Sequence, residues 1–242
     1  LLCEQPQSVF NLAGLNSKKS EIISIDKYVD NFSGILEKYQ NKEYSKIFLS
    51  NVKKVIEKEN LIKKSEKELP LSRKVALTLF RAMRYKDEYE VARLHTSGDF
   101  AQTFLNENKN AKLEYYLAPP LFSKKDPDTG HLLKRRFGHS VYKIFKILSY
   151  FKFLRGTKLD IFGYTLERKK ERALAQKTIT TINKISEILN DNNYKKIIEF
   201  LDIPLSIKGY GHVKEKNIKI AEEKWDKSFD KILSNQNLKK VS

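Results

Sequence analysis

The chain has 242 residues, enough to bury a sizeable core, and its 40% hydrophobic and 11% aromatic content excludes a disordered tail. A net charge of +17 invites nucleic acid or an acidic surface as a partner, but 38 of the 47 basic residues are Lys scattered among Asn and Ile, which reads as composition bias. The single cysteine, Cys3, excludes a disulfide framework, a Cys-rich zinc site or an iron–sulfur cluster held by this chain alone, and fits a reducing, cytoplasmic setting.

Residues 1–20 carry Pro6, Gly14 and Asn16 and little periodicity, so they read as an irregular arm joining an upstream domain. The start on Leu-Leu-Cys rather than Met fits a piece of a longer polypeptide. Residues 21–234 then form a helical domain. From Ser24 or Asp26 as cap, Ile25, Tyr28, Val29, Phe32, Ile35, Leu36 and Tyr39 fall at helical spacing. Asn41 marks a turn into a second helix with Phe48, Val52, Val55, Ile56 and Ile62, giving a helical hairpin over 24–67. Pro70 separates this hairpin from a central region, 70–172, whose first helix has Ser72 as its expected cap. That helix is expected to run on through Arg81–His95, followed by a short amphipathic helix over 99–106.

The pattern then changes to period two. Leu113, Tyr115 and Leu117 alternate with Glu114 and Tyr116, and Asp126-Pro127-Asp128-Thr129-Gly130 is a turn sequence, so one small β-hairpin is expected at 112–137. Ser140–Leu154 reads as a mostly buried helix, since Lys143, Lys146 and Lys152 occupy only a narrow stripe. The same lysines keep its apolar run short of a membrane span, and a membrane-surface helix would want a wider cationic face. C-terminal helices fill 173–234: one ends at Asn190-Asp191-Asn192, one runs from Tyr194 to Leu201 and is ended by Pro204, and one spans about 213–233. A polar tail over 235–242 follows. The fold class is mainly α, a helical bundle-like domain.

All nine arginines lie between Arg73 and Arg172, and in a chain that uses Lys so freely this places the specific, bidentate polar contacts at its centre. Arg81–His95 refuses to separate into apolar and solvated faces. Arg84 with Glu88, Lys86 with Glu90, Tyr85 with Tyr89, and Tyr89 with Arg93 are each four apart. Asp87, Glu88 and Glu90 suggest a catalytic cluster, but each has a basic residue in helical reach, which makes a poor general acid. Arg84, Asp87, Glu88, Tyr89 and Arg93 are therefore expected to form a structural polar network.

Residues 122–158 hold ten basic residues against Asp126 and Asp128. Within and beyond them, Arg135, Arg136, His139, Arg155, His212 and Lys214 are candidates for holding an anion or an acidic partner surface. No metal-ligand spacing links His95, His131, His139 and His212, and no phosphate loop or nucleophile elbow is present.

Several motifs occur in series: Met83-Arg84-Tyr85-Lys86-Asp87-Glu88-Tyr89-Glu90-Val91-Ala92-Arg93-Leu94, Leu117-Ala118-Pro119-Pro120-Leu121, Asp126–Gly130, Lys134-Arg135-Arg136-Phe137-Gly138, Leu154-Arg155-Gly156-Thr157, Phe162–Arg168 and Gly209-Tyr210-Gly211-His212-Val213-Lys214-Glu215. Together, over residues 70 to 220, they resemble the C-terminal region of fused indolepyruvate:ferredoxin oxidoreductases, which are thiamine-diphosphate-dependent. The resemblance implies oxidative decarboxylation of a 2-oxoacid, with thiamine diphosphate, Mg²⁺ and 4Fe–4S clusters held upstream and none by this segment. It assigns no catalytic residue here, and makes the upstream domains, ferredoxin or coenzyme A the expected partners of a cytoplasmic homo-oligomer. The alternative is a basic helical module that binds nucleic acid or an acidic protein; core spacing of the aromatics makes nucleic acid the weaker expectation.

Overall fold

Ser24 takes the backbone N–H of Lys27 onto its hydroxyl and so starts α1 (Ile25–Tyr39), as its sequence predicts. The computed structural model describes residues 23–63, 68–97, 106, 114–117, 123–124, 133–138, 140–209 and 211–237. Asn41 closes the turn into α2 (Lys42–Lys63) by accepting from the Tyr44 N–H at 2.8 Å.

The next helix, α3 (Pro70–Met83), departs from expectation at its start. Pro70 fills the first position after Leu69, and Ser72 is not the cap. The Glu59 carboxylate reaches across from α2 instead, accepting the N–H of Leu71 at 3.0 Å and of Ser72 at 2.7 Å, the Ser72 hydroxyl, and the Tyr194 hydroxyl at 2.6 Å. Free N–H groups at a helix start carry partial positive charge, which stabilises a buried carboxylate there.

Arg81–His95 is not one helix. The chain leaves helical geometry after Met83, and α4 (Glu88–Thr96) starts anew with Asp87 as its cap. The cause is local: Asp87 takes the Glu90 N–H onto its side chain at 2.8 Å, and Asp caps a helix far better than it continues one. The four-residue pairs expected across 84–89 therefore do not share a helical face.

The expected hairpin is present in its described parts. β1 (Tyr115–Leu117) pairs antiparallel with β2 (Arg135–Phe137), Tyr116 opposite Arg136. The 126–130 turn and, apart from Asn106, the 99–106 helix lie outside the described residues. α5 (Ser140–Tyr150) runs into a 3₁₀ turn, Phe151–Leu154. The expectation of a mostly buried helix is corrected here. Val141 and Phe145 are buried against the α4 side, whereas Ile144, Ile147 and Tyr150 face solvent.

A second 3₁₀ turn, Phe162–Tyr164, leads into α6 (Leu166–Ile188), capped by Thr165, and α7 (Tyr194–Phe200) follows. Pro204 does not stop the chain but lies inside α8 (Asp202–Leu205), where a first-turn Pro loses no helical hydrogen bond. α9 (Gly211–Asn237) continues past Ser234, so the helix includes the first part of the expected tail.

The fold is mainly α, with one two-stranded sheet among the described residues. Its large core joins α1, α2, α3, α6, α7 and α9. Phe32 and Phe80 stack at 4.1 Å, and Trp225, 1% exposed, donates to Thr181 at 3.3 Å. Burying each such large side chain contributes about 1.5–3 kcal/mol. A second, small cluster of Ala92, Tyr115, Val141 and Phe145 joins α4, β1 and α5.

Candidate functional site

Where the small cluster meets the large core, the contact is polar. Arg155 is buried and grips Asp87 with two nitrogens, Nη2 lying 2.8 Å from Oδ1, while its Nη1 donates to the Tyr39 carbonyl at 2.6 Å. The guanidinium carbon sits 3.7 Å from the centre of the Tyr39 ring. The Tyr39 hydroxyl donates to the Tyr85 carbonyl at 3.0 Å and the Tyr44 hydroxyl to the Met83 carbonyl at 2.8 Å. These tyrosines satisfy carbonyls that the break between α3 and α4 leaves without helical partners.

A second knot ties the loop before α6. Asp160 is buried and accepts the N–H of Gly156 at 2.8 Å, that of Gly163 at 3.0 Å and the Tyr89 hydroxyl at 3.3 Å. Gly156 adopts φ 78°, and at Gly163 an added Cβ would lie 2.4 Å from an Asp160 oxygen, so both glycines are dictated by the loop's geometry. Arg172 donates to the Gly163 carbonyl at 2.6 Å.

The third part is a chain of ions. Glu88 meets Arg168 at 3.3 Å, Arg168 meets Glu171 at 2.7 Å, and Glu171 meets Lys214 of α9 at 2.7 Å. Glu90 takes a bidentate pair from Arg93 at 2.8 and 2.9 Å and lies 3.4 Å from Arg84. Beside these ions opens a cleft of about 170 Å³ whose lining includes Arg81, Arg84, Lys86, Lys208, Lys214 and Glu90. Arg81 also donates to the Leu205 carbonyl at 3.4 Å.

Protonation follows burial. Tyr85 is pushed up to about 12, first by burial and then by the Asp87 charge. Tyr39 rises well above the usual tyrosine value because it is enclosed, although Arg155 pulls the other way. Burial alone disfavours the Arg155 cation, but the Asp87 pairing outweighs it and holds the guanidinium more firmly protonated than usual. Burial raises Glu88, and Arg168 only partly offsets this. The Tyr39 and Tyr85 hydroxyls and the Arg155 cation hold their protons at neutral pH, which suits a scaffold better than proton exchange.

A sequence profile of a family of unknown function, DUF6537, matches residues 26–227. The chain belongs to this family. No curated protein and no solved structure matches it.

In this DUF6537 domain the five residues expected to form a polar network are all inside polar contacts. Asp87 holds Arg155, Glu88 holds Arg168, Arg84 and Arg93 converge on Glu90, and Tyr89 binds Asp160 and meets Phe162 edge-on at 5.4 Å. The anion candidates divide. Arg135 and Arg136 are exposed on β2, where Arg136 pairs with Glu114. Arg155 is interior and committed to Asp87, and Lys214 is committed to Glu171 at the cleft. His139 lies outside the described residues, as does the side chain of His212 in the first turn of α9.

Asp160, Glu171 and Glu59 were not anticipated. Glu59 had a readable signal: it continues the apolar stripe Phe48, Val52, Val55 at helical spacing, where a carboxylate must be buried. Asp160 had a weaker one, as the sole acid between Gly156 and Gly163. Tyr39 and Tyr44 look like core aromatics in sequence, and their polar role depends on the break after Met83.

Proposed function

We propose that this DUF6537 chain is the structural and interface domain of a 2-oxoacid:ferredoxin oxidoreductase of the indolepyruvate type, whose decarboxylation chemistry lies in other parts of the enzyme. The observation that carries this reading is where the serial motifs go. Asp87 of one motif binds Arg155 of a second, Tyr89 binds the Asp160 loop between motifs and Glu88 binds Arg168 of a third, while Glu90 pairs with Arg93 inside the first. Motif residues spent on binding one another point to a fixed scaffold. The carboxylates of Asp87, Glu90, Asp160 and Glu171 are each held by guanidinium, ammonium or backbone N–H groups. Among the described residues no group of three His, Cys, Asp or Glu could hold a metal ion. On this reading thiamine diphosphate, Mg²⁺ and the 4Fe–4S clusters belong to the upstream domains.

The coding sequence of the complete polypeptide tests the proposal. A thiamine-diphosphate motif and cluster cysteines upstream of residue 1 are expected, and their absence would sink it. Arg135 and Arg136 then serve as the trial contact for an anionic partner, ferredoxin or coenzyme A. Replacing both with Ala is expected to raise the apparent KM for one of them in a salt-dependent way. Unchanged kinetics would leave the pair a solvated basic face.

A further inference from the structure

Exposed large hydrophobic side chains are concentrated in one ribbon of chain. Of the sixteen among the described residues, nine lie between residues 144 and 166. Ile144, Ile147, Phe151, Phe153, Leu159 and Ile161 lead the set, and Leu166 closes it at 75% exposed. Scattered apolar residues on a surface are ordinary, but a concentration of this kind marks an interaction site.

The ribbon is not loose chain. On α5, Val141, Phe145 and Leu148 point into the small cluster, while Ile144 and Ile147 are exposed, and Phe151 follows them at the start of the 3₁₀ turn, at three- and four-residue spacing. Phe151 and Phe153 contact each other at 6.1 Å. The following loop is pinned by buried Asp160 through Gly156 and Gly163, and by Tyr164, whose hydroxyl donates to the Lys158 carbonyl at 2.8 Å. Apolar groups held in place while facing water have already met the ordering cost of binding.

Charge narrows the occupant. From Ser140 to Leu166 the only carboxylate is Asp160, which is buried, whereas Lys143, Lys146 and Lys158 are exposed. A second copy of a chain carrying +17 would bring like charge against like. A lipid surface is disfavoured by geometry, because the apolar flank of α5 is bordered by lysines on one side and by the small cluster on the other, not by a cationic face on both. The geometry points to a docking surface for a folded protein domain that offers an apolar centre rimmed by carboxylates. Resting on the proposed function, that partner is another domain of the same enzyme.

Hydroxyl-radical footprinting of the complete, naturally encoded polypeptide tests this, with Leu61, 72% exposed on α2, as internal reference. Ile147, Phe151, Ile161 and Leu166 are expected to label about tenfold more slowly than Leu61, since interface cores exclude water. Carboxyl-to-amine cross-links from Lys143, Lys146 and Lys158 should end on acids of another domain. Replacing these three lysines with Glu should restore labelling of the ribbon without lowering Tm, and replacing them with Arg should not. Labelling as fast as Leu61 overturns the inference, as do cross-links joining Lys143 to a second copy of the ribbon, or protection that appears only with phosphatidylglycerol vesicles. Protection that persists in the Glu variant overturns the acidic rim. Should the upstream sequence lack a thiamine-diphosphate motif while the ribbon stays protected, the oxidoreductase reading fails alone. Thiamine-dependent turnover with a freely labelled ribbon fails the docking surface alone.

Discussion

The large core and the small cluster beside it are held by opposite means. The first joins six helices through apolar contact and carries a buried carboxylate, Glu59, bound by backbone and hydroxyl donors. The second buries only Ala92, Tyr115, Val141 and Phe145 among the described residues, a small apolar area on which to seat it. Its attachment runs through Asp87–Arg155 and Glu88–Arg168, pairs that cost desolvation and repay it only when both partners are present. Apolar contact tolerates a shifted neighbour, whereas a bidentate ion pair accepts one geometry. The junction therefore fixes where the cluster and its exposed ribbon sit, more than it adds net stability.

Breaking that pair separates the two regions most sharply. Asp87→Ala strands a buried guanidinium and removes the α4 cap, with an expected cost of about 3–5 kcal/mol in urea unfolding. Hydrogen exchange should show amides of α4 and α5 opening first while those of α1–α3 stay protected. The double variant Asp87→Ala, Arg155→Ala should cost less than the sum of its parts by about 1–3 kcal/mol. Strict additivity would mean that the pair does not couple. Leu79→Ala in the large core should instead cost about 2–5 kcal/mol and expose both regions together.

Two smaller changes probe the polar knots within each region. Glu59→Gln removes an acceptor from the start of α3, with an expected cost of about 1–3 kcal/mol, insensitive to whether the small cluster is seated. Gly163→Ala drives a methyl group against Asp160 and should cost a comparable amount, about 1–3 kcal/mol, with faster exchange confined to the 156–165 loop. A Gly163→Ala protein as stable as the parent would show that the Asp160 loop can relax.

Sequence made the helical elements legible because their apolar spacing is strong, and it located the network residues through the clustering of arginine. Two of the features it misplaced show the physical reasons most clearly. The Arg81–His95 segment has helical spacing throughout, but the capping strength of Asp87 overrides it, so Asp87 and Glu88 reach Arg155 and Arg168 rather than neighbours one turn away. Ser140–Leu154 has the composition of a buried helix because it is apolar on two flanks; only one is covered by this chain, and periodicity cannot tell a covered flank from an exposed one. Long-range pairs such as Asp87 with Arg155, 68 positions apart, leave no local pattern at all.

The smallest expected effect concerns pH and the small cluster only. His95 is exposed at one edge but lies 5.5 Å from the rings of both Tyr115 and Phe145, and partial burial, followed by the Lys86 charge, lowers its pKa from 6.5. The native state thus favours the neutral ring, so the stability it contributes is present above pH 6.5 and is lost as pH falls through the lower folded value. Glu88 runs the other way: burial raises its pKa, so its contribution is complete below 4.5 and declines as pH rises through the raised value. Acidification from pH 7 toward 5 should therefore speed amide exchange in α5 but leave α1–α3 unchanged. His95→Phe keeps the ring stacking and removes the titration, and should abolish that selective loss. If α5 exchange in the Phe variant still accelerates on acidification, His95 does not carry the pH response of the junction, and Glu88, whose raised pKa acts in the opposite sense, does not supply it either.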